Sequence, residues 1–304
     1  MLLSDFCIKK EKFAFFMELL NTLRVDLNKT ILNIGFLSAA LLTAVLCFTA
    51  PTYHDLTTDR SYSVFESFFS FKREFMQSDQ QFASINVFQN GLGGYITMFL
   101  PIIVAFPFMV SFCAERNSGL MRFTISRTGC LRYYLSKFLS VIIGGGLAAM
   151  LGYALYGLVV YGFFPNINCY ELDEFYYEMH PDSQTVEVLK MLLSAFIYGA
   201  ITTLPAFLIS SFSRNPYLIT CVPFLMVYIW NTAINKLVLK AWETEDNELA
   251  EKLFDFQPDS ARQLAFINEW NASTQRIVIF NSVLFVGVIV LFSLIMNLRK
   301  DRGV

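Results

Sequence analysis

Six stretches of this chain, near 31–50, 92–112, 138–164, 188–212, 217–238 and 277–298, run for roughly twenty residues or more with almost no charge. That pattern dictates the class of fold. A bilayer's hydrocarbon core is about 30 Å thick and an α-helix rises about 1.5 Å per residue, so roughly twenty apolar residues cross it. Lipid offers backbone amides no partner, so each run is expected to satisfy its own hydrogen bonds as a helix. A barrel would repeat a polar and apolar alternation in segments of about ten, and none repeats here. Composition agrees: 16% of residues are charged and 55% hydrophobic, against a soluble norm of about 25% charged. The expected class is all-α, a polytopic membrane protein with six transmembrane helices within residues 31–304. The first run begins thirty residues in and ends FTAPTYHD, without a small-x-small cleavage site, so it reads as a span and not a leader.

Charge orders the connections. Segments 1–30, 114–137, 213–216 and 299–304 hold 14 of the 23 basic residues and six of the 25 acids, a net of +8; the rest of the chain holds nine and nineteen, a net of −10. The positive-inside rule then places both termini in the cytoplasm of a multi-pass cell-membrane protein. Segments 51–91, 165–187 and 239–276 face outward. Within the second, ELDEFYYEMHPDSQTVE has six acids and no base, either a solvated loop or an attractor of cations.

Little else in the chain speaks of chemistry. Of six cysteines, Cys47, Cys113 and Cys221 fall in or at the ends of spans, Cys7 and Cys130 are cytoplasmic and Cys169 alone is outside, so no disulfide framework is expected. There is no phosphate-binding loop, no H-E-x-x-H, and the two histidines, His54 and His180, both lie outside. Catalysis, a bound metal and a nucleic-acid partner are therefore not expected. Lys190 and Lys236 sit near span ends and are read as snorkelling. Trp230, Asn231 and Asn235, the two amides one turn apart, and Asn281 in the last span are pathway candidates, the amides facing either a translocation pathway or a neighbouring helix. Gly144, Ala148 and Gly152 recur every four residues and permit close helix approach, within the chain or across a dimer. Pro101, Pro107, Pro205 and Pro223 are candidate kinks.

The stretch ERNSGLMRFTISRTGCLRYYLSK, 115–137, carries five basic residues against one acid between two spans. Gly119 and Ser126-Arg127-Thr128-Gly129 break it, leaving LMRFTIS as a short helix with Leu120, Phe123 and Ile125 apart from Arg122. The pattern Glu115-Arg116, Ser118-Gly119, Ser126-Arg127 and Lys137 resembles the cytoplasmic loop of ABC type-2 transporter permeases, with Ser136 where Gly is common and Thr128 where proline is frequent. The likeness extends over the whole chain as six spans with the loop after the second. It implies a coupling helix, served by Glu115, Arg116, Gly119, Leu120, Arg122, Phe123 and Arg127, that docks on a separate ATP-binding cassette ATPase holding ATP and Mg. It also implies a second permease subunit, identical or not. Before the first span, EKFAFFMELLNTLRVDLNKT places Phe13, Phe16, Met17, Leu20, Leu23 and Leu27 on one stripe, with Lys12, Glu18, Asn21 and Asp26 largely elsewhere. That stripe reads as an interfacial helix over 1–30 lying on membrane lipid, similar to the family's elbow helix. The function implied is a permease subunit of an exporter moving an apolar or amphipathic cargo. The alternative is a non-transporting membrane receptor or immunity protein that sequesters a ligand with its outer loops, of which 51–91, with its aromatic run SVFESFFSFKREF, is read as a small cap.

Overall fold

The computed structural model describes residues 2–55, 59–170, 183–266 and 270–298. Helix α1 (Leu2–Ile31) bends by 59° into α2 (Ile34–Cys47), whose N-terminus Asn33 caps by accepting from the Gly35 N–H. A hairpin of β1 (Pro51–Asp55) and β2 (Arg60–Ser63) leads through α3 (Val64–Ser70), α4 (Arg73–Met76) and α5 (Ser84–Asn90) to α6 (Tyr95–Ile103) and α7 (Phe106–Asn117). Next come α8 (Leu120–Thr128), the 34-residue α9 (Cys130–Phe163), α10 (Gln184–Thr202) and α11 (Leu204–Phe212). Helices α12 (Pro216–Glu243), α13 (Asn247–Phe254) and α14 (Ala272–Leu298) complete the chain, with a 3₁₀ segment, Pro258–Phe266, before the last. The acidic residues 171–182, including His180, the basic residues 299–304 and the side chains of Cys7, Lys12 and Phe13 lie outside what is described.

Four stretches are long and apolar enough to cross a bilayer unaided, Cys130–Cys169, Gln184–Phe212, Pro216–Glu243 and Ala272–Leu298; two bent pairs bring the number to six if each is one span. The first two expected runs are therefore helical but broken. Helix α2 has 14 residues, about 21 Å, short of a 30 Å core. The second bent pair turns by 59° between Ser84–Asn90 and Tyr95, at the start of run 92–112, and α6 passes into α7 at Val104–Ala105. Pro107 and Pro205 do not kink a continuous helix; they occupy the first turns of α7 and α11, where a missing N–H is no loss. Pro101 and Pro223 do lie inside helices.

Helix α9 is the axis on which α1, α2 and α10 pack, and glycine is the reason. A Cβ added at Gly152 would lie 2.4 Å from the Ala40 carbonyl oxygen, and one at Gly144 would lie 2.5 Å from the Thr30 methyl. Gly145 and Gly146 face α10 instead, at Thr203 and Phe196. The small-residue stripe thus serves a contact within the chain. Gly152→Ala is expected to lower the unfolding midpoint in detergent, at a cost of about 1–3 kcal/mol from overpacking. Gly162→Ala, where a Cβ meets nothing within 4 Å, should leave it unchanged, and equal midpoints for the two variants would refute the close α2–α9 approach.

Two apolar cores stack along this axis. One joins Phe82 and Phe88, from segment 51–91, to Tyr153, Tyr156 and Tyr198; the other gathers Phe112, Tyr134, Phe138, Phe207 and Phe292 at the opposite end. The connections that charge separates also separate in space. Arg132 meets Glu18, Lys29 meets Glu115 and Arg116 meets the Ser213 carbonyl at one end, whereas the Ser84 N–H meets the Pro165 carbonyl and Arg262 meets the Leu92 carbonyl at the other.

Among the described residues the chain is overwhelmingly helical, as expected, and carries one small hairpin that the sequence did not announce: Tyr53 pairs with Tyr62 across two antiparallel strands, stabilised by Tyr53 stacking on Phe82 at 4.8 Å and by Phe71 and Phe75 at its edges. One sequence expectation needs correction. In α1, Phe16, Met17 and Leu20 are exposed as an interfacial stripe requires, but Asp26, assigned to the polar side, is buried. Helix α1 turns that side into α9, where cationic and hydroxyl partners receive it.

Candidate functional site

The basic connection between α7 and α9 is built from two opposed halves. Glycine ends each helix because the backbone turns left-handed there: φ is +73° at Gly119 and +81° at Gly129, a region costing other residues about 1 kcal/mol or more. Neither glycine is crowded, since an added Cβ would meet nothing within 4 Å. Both are therefore conformational requirements, and they bracket α8 between two turns. Helix α8 rests on the bundle through Met121, which is buried, and Ile125. Its other side presents Leu120, 56% exposed, and Phe123, 71% exposed, between the exposed Arg122 and Arg127.

Glu115 and Arg116, one turn earlier, point the other way. The Glu115 carboxylate sits 2.7 Å from the Lys137 ammonium and 2.8 Å from that of Lys29, and accepts from the Tyr133 hydroxyl at 3.2 Å. Lys137 continues to Asp26 at 2.8 Å, and Asp26 also accepts from the Ser136 hydroxyl. Burial pushes the Glu115 carboxyl up, but Lys137 and Lys29 outweigh it and hold it below the usual carboxylate range. Arg116 donates to the carbonyls of Ser210, Ser211 and Ser213 at the end of α11, where helix carbonyls lack intrahelical partners and the dipole favours a cation. The dipeptide therefore ties α7 to α1 and α9 on one side and to α11 on the other. Of the seven residues expected at a docking surface, four are outward, Gly119 is a turn, and Glu115 and Arg116 form the brace behind them.

The four pathway candidates divide as well. Asn231 and Asn235 line a cavity of about 1060 Å³ at the opposite end, between the end of α2, the hairpin and α3, the start of α6 and the later half of α12. Trp230 and Asn281 instead line a separate apolar pocket of about 140 Å³ with Pro205 and Phe280. Neighbouring helix positions point about 100° apart, so Trp230 and Asn231 look into different spaces. Asn281 donates to the Ile277 carbonyl at 2.8 Å and is 6% exposed, a local bond within α14. Gln257 donates to Asn235 at 2.7 Å, joining the 3₁₀ region to the cavity wall. Glu66, also in that wall, accepts from the Ser63 N–H and hydroxyl in a capping box, and these bonds hold its carboxyl below the usual range.

Residues to which the sequence assigns no part in this site complete the arrangement. Asp26, Lys29, Tyr133 and Ser136 stand 18 to 111 positions from their partners in the cluster, beyond any local pattern. Lys137 was legible as a basic residue at the start of a span, but not as a buried one. Among the described residues no group of three or more metal-ligating side chains occurs, and Cys47, Cys113, Cys130, Cys169 and Cys221 are free thiols. No protein-family model matches this chain, and no curated protein matches it significantly.

Proposed function

We propose that the chain is the membrane-spanning permease subunit of an ATP-binding cassette exporter, with both termini in the cytoplasm and without an ATPase site of its own. The observation that carries this reading is α8. It is a short helix in the basic connection, turned at both ends on left-handed glycines, with Leu120 and Phe123 exposed beside Arg122 and Arg127 and a buried brace behind it. Apolar anchors rimmed by like charge are the usual composition of a docking element, and the arginines fit a partner cleft lined by carboxylates. A helix seated rigidly at Met121 and tied through Glu115 and Arg116 to α1, α9 and α11 passes a push from that partner to several spans at once. ATP and Mg belong to the partner, and a second permease subunit, like or unlike, faces the outer cavity that Asn231 and Asn235 line. Cargo leaves through that cavity, beneath the hairpin cap.

The test is co-purification. Expressed with its neighbouring genes and extracted in mild detergent, the chain should retain an ATP-binding cassette subunit in stoichiometric amount. If none associates, the exporter reading falls and the outer cavity remains as the site of a receptor or immunity protein.

A further inference from the structure

The outer cavity has an unusual electrical character for a space of its size. Among the described residues that line it, Glu66 is the one with a formal charge, and the Arg60 that pairs with it lies outside the wall. Four aromatic side chains, Phe48, Phe65, Tyr95 and Tyr228, share the wall with hydroxyls and the amides of Asn231 and Asn235. Aromatic faces carry negative π density and attract a cation without demanding that it be stripped bare. A single carboxylate supplies the matching charge and penalises anions. Glu66 is prepared for that role by its hydrogen bonds. Oε2 is occupied by Ser63, at 2.9 Å from the N–H and 3.1 Å from the hydroxyl, whereas Oε1 makes a long, exposed ion pair with Arg60 at 3.6 Å, a contact of little strength that a bound ammonium can share or displace. Arg60 itself stacks over Tyr62 at 4.8 Å, outside the cavity wall. A volume of about 1060 Å³ sits at the top of the range of small-molecule sites, about 300–1,000 Å³, with room for a tail as well as a headgroup.

We propose that this cavity recognises a cationic amphiphile, its ammonium group held against Glu66 and the aromatic wall and its tail along the apolar stretch from Val45 to Met98. The inference deepens the exporter reading by naming the charge of its cargo, and it rests on that reading for the expulsion of the bound molecule.

Binding itself needs no ATPase, so it is measured on the full chain alone in nanodiscs, with empty nanodiscs subtracted. The probes are dodecyltrimethylammonium and a neutral alkyl analogue of equal length ending in a tert-butyl group. The cation should bind about tenfold more tightly than its carbon isostere. Glu66→Gln should abolish that preference, and glutamine still serves at the third position of the capping box, so α3 keeps its start. Tyr95→Leu should weaken the cation severalfold more than the isostere. Equal affinities in the unaltered chain, or an undiminished preference in Glu66→Gln, would overturn the proposal while leaving the ATPase co-purification result untouched.

Discussion

Lys137→Met is expected to cost about 3–5 kcal/mol of stability, the range for removing one partner of a buried ion pair. The Lys137 side chain is 7% exposed and stands between Asp26, 6%, and Glu115, 11%, so its loss strands two carboxylates in a poorly solvated space. Lys29 bonds Glu115, but it is half-exposed and reaches Asp26 only through space, leaving that carboxylate the Ser136 hydroxyl as its direct bond within the cluster. A double variant, Asp26→Asn with Lys137→Met, removes one charge of each sign and should recover most of the loss. The pH dependence separates this cause from simple loss of packing. In the unaltered chain Glu115 is held below the usual carboxylate range, so its contribution is present above that range and fades as pH falls through its folded value. In Lys137→Met the sign inverts: the burial that pushes the Glu115 carboxyl up loses its main opponent, and mild acid should raise the unfolding midpoint relative to neutral pH. Midpoints measured in detergent across pH 5 to 8 decide it, and a single variant as stable as the unaltered chain would mean the cluster braces nothing.

This cluster also marks where the sequence stops being readable. Apolar runs are local in sequence, so lipid-length helices announce themselves, and charge bias in the connections survives because it is summed over many residues. The glycines around α8 were legible for the same reason: Gly119 and Gly129 interrupt a helical pattern at their own positions. Burial of Asp26 was not legible, because a polar residue on an amphipathic helix looks solvated until its partners are known, and Lys137 lies 111 residues away. The two hairpin strands were hidden by brevity: five and four residues, PTYHD and RSYS, lie beside an aromatic-rich helix and carry too little alternation to stand out. The division of Asn231 and Asn235 from Trp230 and Asn281 comes from helical phase, which sequence supplies, and from the neighbours of each face, which it does not.

Arg122→Glu combined with Phe123→Ala is expected to abolish ATP-dependent transport while leaving the chain inserted and as stable as before. Phe123 is 71% exposed and Arg122 is exposed, so neither contributes burial within the chain, and surface changes of this kind shift stability by about 0.5 kcal/mol or less. At a docking surface the same two side chains count differently. An aromatic anchor and a charge pair lost together, at about 2 kcal/mol each, weaken the grip roughly a thousandfold, and reversing the arginine adds repulsion against any carboxylate it met. The contrast with Glu115 is what gives the experiment its force. Loss of Glu115 disturbs the brace, α1 and α9, so its transport defect would come with a lowered midpoint and say nothing of a partner. Loss of Phe123 and Arg122 touches only the outward side of α8. Transport, retention of the ATPase subunit and the unfolding midpoint are therefore read on one preparation: the first two should collapse and the third should hold. Normal transport by the doubly altered chain would leave α8 as a connection whose arginines merely fix the orientation of the spans.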